Sequence, residues 1–214
     1  MNIVMNLLFD SGKDYEHYLE MHYLSTDSVM KFINPDQLLT ITDKGPNPFK
    51  AFKEFAHYTF EQVRKGNNVL VVEIDAVVIK PTKIFGEFDK MMMFTRTCPP
   101  SIKYEGVMGG WRFDPYMNSG IRYFPATIPL EILNKAESLM DIYDESFWGY
   151  DQVIYNWIYY QQHERANLNY MKYNYMPFSD VLQNCKEEEA HIVHLFSSRG
   201  AKECLDKMKG YYNG

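Results

Sequence analysis

Cysteine is scarce. Cys98, Cys185 and Cys204 are widely spaced, and no Cys-x-x-Cys occurs. A scattered, odd-numbered set excludes a disulfide framework and a zinc knuckle, and it points to a reducing compartment, read here as cytoplasmic. No apolar run approaches the ~20 residues of a membrane-spanning helix. Met1 to Phe9 is apolar but lacks a basic leader and is interrupted by Asp10-Ser11-Gly12, so it reads as a buried strand rather than a signal peptide. Positive charge is also short: 22 Lys+Arg against 28 Asp+Glu leave a net charge of −6, which weakens a broad electrostatic grip on nucleic acid. Internal repeats and low-complexity linkers are absent, and one domain over residues 1–214 is expected.

Aromatic and sulfur-bearing residues are plentiful, with 17 Tyr, 14 Phe and 13 Met implying a core or cleft of flat, adaptable surfaces. A chain of this size buries ~70% of its unfolded surface and needs no metal merely to fold. The apolar run Asn2 to Phe9 predicts a strand, and Asp14 to Lys31 a helix. A second strand follows at Leu38 to Thr42. Pro48 then opens a helix reaching about Arg64, striped by Phe49, Phe52, Phe55, Ala56 and Phe60. Val69 to Val72 has the continuous apolar character of a central strand covered on both faces.

The strand-helix-strand-helix-strand order predicts an α/β sheet with right-handed crossovers, whose ligands bind beyond the carboxyl ends of its strands. Further along, Met91 to Thr95 and Ser119 to Phe124 read as strands, and Pro129 to Tyr143 as a helix with Leu130, Leu133, Ala136, Leu139 and Met140 inward. Asp151 to Gln161 reads as a helix, Leu168 to Met176 and His191 to Phe196 as late strands, and Ala201 to Gly210 as a tail helix. Ile84 to Phe88 is a short helix or turn. Arg96 to Met117, rich in Gly and Pro, is a long loop of the kind that forms functional lids.

The chemistry is expected where the third strand ends, at Glu73-Ile74-Asp75. In an extended chain residues i and i+2 point to one side, so two carboxylates converge there. Their repulsion is relieved by a divalent cation, and a hard ion such as Mg²⁺ or Mn²⁺ suits carboxylate oxygen and bridges to phosphate. Acids placed between Val69-Leu70-Val71-Val72 and Ala76-Val77-Val78-Ile79 are unlike two solvated acids at an ordinary strand end.

Residues 69–78 resemble the "VLYLDADTVV" segment of GT-A fold glycosyltransferases, particularly the retaining group that includes bacterial galactosyltransferases and glycogenin. The segment Tyr116-Met117-Asn118-Ser119-Gly120-Ile121-Arg122 resembles their "FNAGVML", Gly149 to Asn156 their "QDQDILN", Tyr173 to Met176 their "RFNFMP", and His191 to Leu195 their "VIHFTG". The resemblance implies a GT-A, Rossmann-like mixed sheet flanked by helices. It further implies a Mn²⁺ or Mg²⁺ held by Glu73, Asp75 and His194, and a nucleoside-diphosphate sugar as donor. Glu73 stands where the family has Asp. Asn118, Asp151 and Gln152 are implied around the donor sugar, with Ser119 and Gly120 letting the backbone pass close to it. Asp10 and Tyr15 are placed at the base, and Arg96, Arg199 and Lys202 near the diphosphate. Arg199 and Lys202 replace the family's Lys-Pro-Trp, and a solvated basic turn is the competing reading. On a strand His191 and His194 face opposite sides, and His194 is the one that matches the family ligand.

The resulting expectation is a metal-dependent, retaining transfer of sugar to an acceptor hydroxyl, the acceptor being a saccharide or a modified DNA base. Arg199 to Lys209 carries four basic and two acidic residues, a small excess compatible with phosphate contact. Two other classes stay open. A sugar-nucleotide nucleotidyltransferase needs a richer basic loop than Asp10-Ser11-Gly12-Lys13, and a non-catalytic module would bind the nucleotide-sugar without turning it over.

Overall fold

The computed structural model describes residues 1–9, 14–43, 48–95, 113, 116–142, 150–165, 167–177, 185–195 and 200–214. Its elements are β1 (Asn2–Phe9), α1 (Tyr15–Phe32), β2 (Gln37–Asp43), α2 (Pro48–Arg64), β3 (Asn68–Val72), β4 (Ala76–Val78), β5 (Met92–Met93), β6 (Ile121–Phe124), α3 (Leu130–Ile142), α4 (Tyr150–Gln162), β7 (Ile192–His194) and α5 (Ala201–Asn213). A five-stranded sheet has the order β2-β1-β3-β6-β5. β1, β2 and β3 run parallel, β6 pairs antiparallel with β3, and β5 antiparallel with β6. A two-stranded sheet joins β4 to β7.

This topology selects the place for a ligand. The chain leaves β1 through α1 to β2 on one side, then returns through α2 to β3 on the other side of β1. Right-handed crossovers therefore put α1 and α2 on opposite faces, and a crevice opens between the carboxyl ends of β1 and β3 where the winding reverses. β3 is completely covered from Val69 to Val72, as its unbroken apolar run predicts. On the α2 face Phe60 meets Phe124 and Tyr155 edge-on, which ties α2, β6 and α4 into one core. A second apolar group joins Met21 of α1, Val77 of β4, Val193 of β7 and Cys204, Leu205 and Met208 of α5. Gly66, at φ 81°, ends α2 in the left-handed region that glycine adopts without steric cost, and its N–H donates to Val63 C=O at 2.9 Å.

Several sequence expectations need correction. Leu168–Tyr173 is a 3₁₀ segment with a kink at Tyr170, not a strand, and only Tyr175 forms a bridge, to Val193. The Asn167 side chain accepts from Asn169 N–H at 3.1 Å, and this local cap outcompetes extension. Pairing in the Met91–Thr95 stretch is confined to Met92 and Met93. Residues 85–87 form a turn, one of the two forms expected for Ile84 to Phe88. In α3, Leu133, Ala136 and Met140 are buried, but Leu130 lies 58% exposed on the first turn. Cys185 and Cys204 are free thiols. Among the described residues no helix is long and apolar enough to cross a membrane.

Candidate metal centre

The acidic pair lies on a turn between the two sheets. β3 ends at Val72, and the Ala76 N–H donates to Glu73 C=O at 3.0 Å, closing a tight reversal before β4. The expected side-by-side arrangement on an extended strand is therefore replaced by convergence across a turn, because the chain must change direction to pass from one sheet to the other. Antiparallel pairing of β4 with β7 sets Ala76 opposite His194, and Leu195 N–H donates to Asp75 C=O at 3.0 Å. This register carries His194 to the carboxylates. Its Nε2 lies 3.2 Å from Glu73 Oε2 and 3.3 Å from Asp75 Oδ1. One ligand atom from each of the three residues falls within 4.8 Å of the others. His191 faces elsewhere, with Nδ1 3.2 Å from the Thr82 hydroxyl.

The donor set fits a divalent cation. Two carboxylates and an imidazole suit Mn²⁺ or Mg²⁺, and charge supports the fit. Burial pulls the His194 ring down, but the charges of Asp75 and Glu73 and hydrogen bonding of the ring to their carboxylates outweigh it and raise it to about 10. Without a cation, a proton on Nε2 takes the position between the acids. Asp75 and His194 are buried, whereas Glu73 keeps 40% of its side chain exposed, so the site opens on the Glu73 side.

Behind the acids sits Arg122, an ion that the apolar run Ile121-Arg122-Tyr123-Phe124 contains but that the sequence argument leaves without a role. A charged residue is seldom buried without a partner, and that rule is the signal that would have found it. Arg122 is 3% exposed. Its Nη1 lies 3.9 Å from Glu73 Oε1 and donates to the Ser119 carbonyl, and its guanidinium packs 4.2 Å from the Tyr155 ring centroid. Asp151 opens the first turn of α4 and is buried. Burial raises its carboxyl to about 6, opposed by the Arg122 charge and by the Gln152 and Asp151 backbone N–H groups, and reinforced by Glu73.

The remaining sequence candidates divide into two groups. Gln152 Oε1 accepts from both Ser119 N–H and Ser119 hydroxyl at 3.1 Å. Asn118 is buried, and its Oδ1 accepts from Gly120 N–H at 2.9 Å. Gly120 lies against His194: a Cβ there would stand 2.1 Å from the ring Cε1. Asn156, unassigned from sequence, grips the Met117 N–H and C=O at 2.8 Å each and so fixes the Asn118 segment to α4. Asn174, also unassigned, joins His194 to Asn118. By contrast, Tyr15 is half-buried at the start of α1, and Lys202 is exposed on the first turn of α5. Among the described residues, neither forms a hydrogen bond or ion pair with Glu73 or Asp75. Asp10, Arg96, Arg199 and all of the proposed lid except Phe113, Tyr116 and Met117 lie outside the described residues.

No protein-family model and no curated protein sequence matches the chain. Solved structures do match it. A glycosyltransferase involved in the glycosylation of the major capsid of PBCV-1 aligns over 98% of this chain and 100% of its own, at 14% identity and a TM-score of 0.64. The WbbM bifunctional glycosyltransferase aligns over 98% of this chain and 51% of its own, at 12% identity and a TM-score of 0.61. The galactosyltransferase LgtC, solved with donor and acceptor sugar analogues, aligns over 98% and 95%, at 14% identity and a TM-score of 0.53. The chain therefore has the GT-A-like mixed α/β fold of these glycosyltransferases.

Proposed function

We propose that this chain, acting as one domain over residues 1–214, is a metal-dependent glycosyltransferase of the cytoplasm that moves a sugar from a nucleoside-diphosphate sugar to an acceptor hydroxyl with retention of configuration. The observation that carries the reading is the convergence of Glu73, Asp75 and His194 at the reversal point of a GT-A-like sheet. Glu73, Asp75 and His194 would hold the Mn²⁺ or Mg²⁺, which when bound would supply Lewis-acid stabilisation to a departing diphosphate. The protein's own groups bind and orient the substrate. Gln152, with Oε1 held by Ser119, is left with its NH₂ to offer to sugar hydroxyls, and Asn118 does the same from the facing loop. Asp151 accepts from a sugar hydroxyl when ionised, a state favoured by Arg122 behind it. The acceptor is a saccharide hydroxyl or a hydroxyl on a modified nucleobase.

The test is nucleoside-diphosphate release from a panel of nucleotide-sugars with Mn²⁺, for the wild type and Asp75→Ala. The reading expects release that stops on chelation and is absent in Asp75→Ala, with the variant still folded. Undiminished release in Asp75→Ala under excess chelator overturns it. Pyrophosphate release from a nucleoside triphosphate and a sugar phosphate would instead identify a nucleotidyltransferase, and tight binding with no hydrolysis a non-catalytic module.

A further inference from the structure

One backbone N–H determines the orientation of three polar groups in succession. Gly120 N–H can only donate, and it donates to the Asn118 carboxamide at 2.9 Å, so the Asn118 atom facing it must be the oxygen. Asn174 meets that same oxygen at 3.1 Å and must therefore present its NH₂. Its own oxygen is then turned towards His194 Nδ1, 3.2 Å away, so Nδ1 carries the hydrogen. When the imidazole is neutral, its lone pair is at Nε2, the atom that faces Glu73 and Asp75.

The bridge is rigid because Asn174 is completely buried and its flanks are pinned. Asn174 N–H donates to Met171 C=O at 3.0 Å, Tyr175 N–H to Ile192 C=O at 2.9 Å, and His194 N–H to Tyr175 C=O at 2.8 Å. At the other end, both donors to Asn118 fall on its oxygen, and Asn118 Nδ2 donates to no described residue. The amide nitrogen is the end left for a ligand. Gln152 follows the same rule, since both Ser119 donors, its N–H and its hydroxyl, fall on Oε1.

We propose that Asn174 is a positioning residue that sets the His194 tautomer for metal binding and, through the same carboxamide, joins the Gly120 N–H in holding Asn118 so that it presents an N–H donor to an acceptor-rich sugar or diphosphate oxygen. The inference rests on the metal and nucleotide-sugar reading of the site and assigns to it a residue that does not itself touch either ligand. Its two ends are chemically separable. An aspartate at 174 still accepts from His194 Nδ1 and, as a carboxylate behind a metal-bound imidazole, supports the ligand at least as well. It has no hydrogen to give Asn118. Asn118 must then rotate its NH₂ towards the new carboxylate, which strands the Gly120 N–H and turns an oxygen towards the ligand. Alanine at 174 removes the acceptor for His194 and leaves Asn118 held by the Gly120 N–H alone, so the metal is lost first and the nucleotide-sugar that binds through it weakens with it.

The experiment measures binding of Mn²⁺ alone, and then of UDP-glucose, UDP-galactose and GDP-mannose in the presence of Mn²⁺, by calorimetry on the full chain. For Asn174→Asp, Mn²⁺ affinity is expected within about threefold of wild type or tighter, while the best-binding nucleotide-sugar weakens by about tenfold or more. For Asn174→Ala, both weaken by about tenfold. A residue that merely supports the fold would lower both affinities together in both variants, and that outcome overturns the proposal. So does an Asn174→Asp protein with wild-type affinity for both ligands.

A direct readout needs no variant at position 174. In Mg²⁺-loaded wild type with ¹⁵N-labelled histidine, the His194 resonances, identified by their loss in His194→Gln, should report hydrogen on Nδ1 and none on Nε2. A neutral ring without hydrogen on Nδ1 refutes the bridge even if the 174 variants do not fold, whereas hydrogen on both nitrogens refutes the metal ligation on which it rests. Wild type that binds neither Mn²⁺ nor any of the three nucleotide-sugars refutes the underlying reading of the site instead.

Discussion

A methyl group on Gly120 would occupy the place of the His194 ring. Its Cβ would lie 2.1 Å from Cε1, 2.6 Å from Nδ1 and 2.9 Å from Nε2. Carbon atoms in contact sit roughly 3.5 Å apart, so the imidazole must withdraw by roughly 1.4 Å. It has nowhere to go at constant geometry, because the residue is buried and Nδ1 is held by Asn174 at 3.2 Å. Metal-ligand distances tolerate only about 0.2 Å. Gly120→Ala should therefore lose the imidazole as a ligand and weaken Mn²⁺ by at least about tenfold to a hundredfold. Overpacking adds a stability loss of about 1–3 kcal/mol. Gly210→Ala is the matched control. Its Cβ meets nothing within 4 Å, and its position inside α5 favours alanine by about 0.5–1 kcal/mol. Calorimetric titration with Mn²⁺ alongside urea unfolding separates the two effects. A Gly120→Ala protein that binds Mn²⁺ like wild type would show that His194 is not a ligand, or that the ring is not where the structure places it.

Arg122→Met removes the buried cation behind Glu73 and should cost on the order of 3 kcal/mol in urea unfolding, since Ser119 C=O and the neighbouring acids lose their partner. A change below about 0.5 kcal/mol, the range of an ordinary surface substitution, would contradict that assignment. On the far side of α2, Glu137 accepts from Arg64 and lies 2.8 Å from His57 Nδ1. Burial pushes its carboxyl up, but the hydrogen bonds and charges of Arg64 and His57 outweigh this and hold it below its ordinary value of 4.5. A lowered folded-state pKa means that its stabilisation is complete above pH 4.5 and is lost as pH falls below it. Thermal melts of wild type and Glu137→Gln from pH 7 to pH 3 should therefore converge at the acid end, and a constant gap would contradict the ion pairing.

Local pattern was legible in the chain because helices and buried strands repeat over a few residues. The run Val69 to Val72, the Phe stripe of α2 and the acids at Glu73 and Asp75 read directly from it, and they sufficed to place an acidic pair at the end of β3. Family resemblance added His194. What local pattern could not supply was the direction of side chains once the backbone turned. Glu73 and Asp75 converge because the chain reverses between two sheets, not because it is extended. Leu168–Tyr173 coils because Asn167 caps it, where a strand is expected. Gly120, Arg122 and Asn174 acquired their roles only from neighbours distant in sequence. The β4–β7 register sets His194 opposite Ala76, the bridge at Tyr175 brings Asn174 to its ring, and pairing of β6 with β3 turns Arg122 behind Glu73. A sequence records which groups are available at each position. Which of them meet depends on strand register, and a one-residue slip would point each to the opposite face.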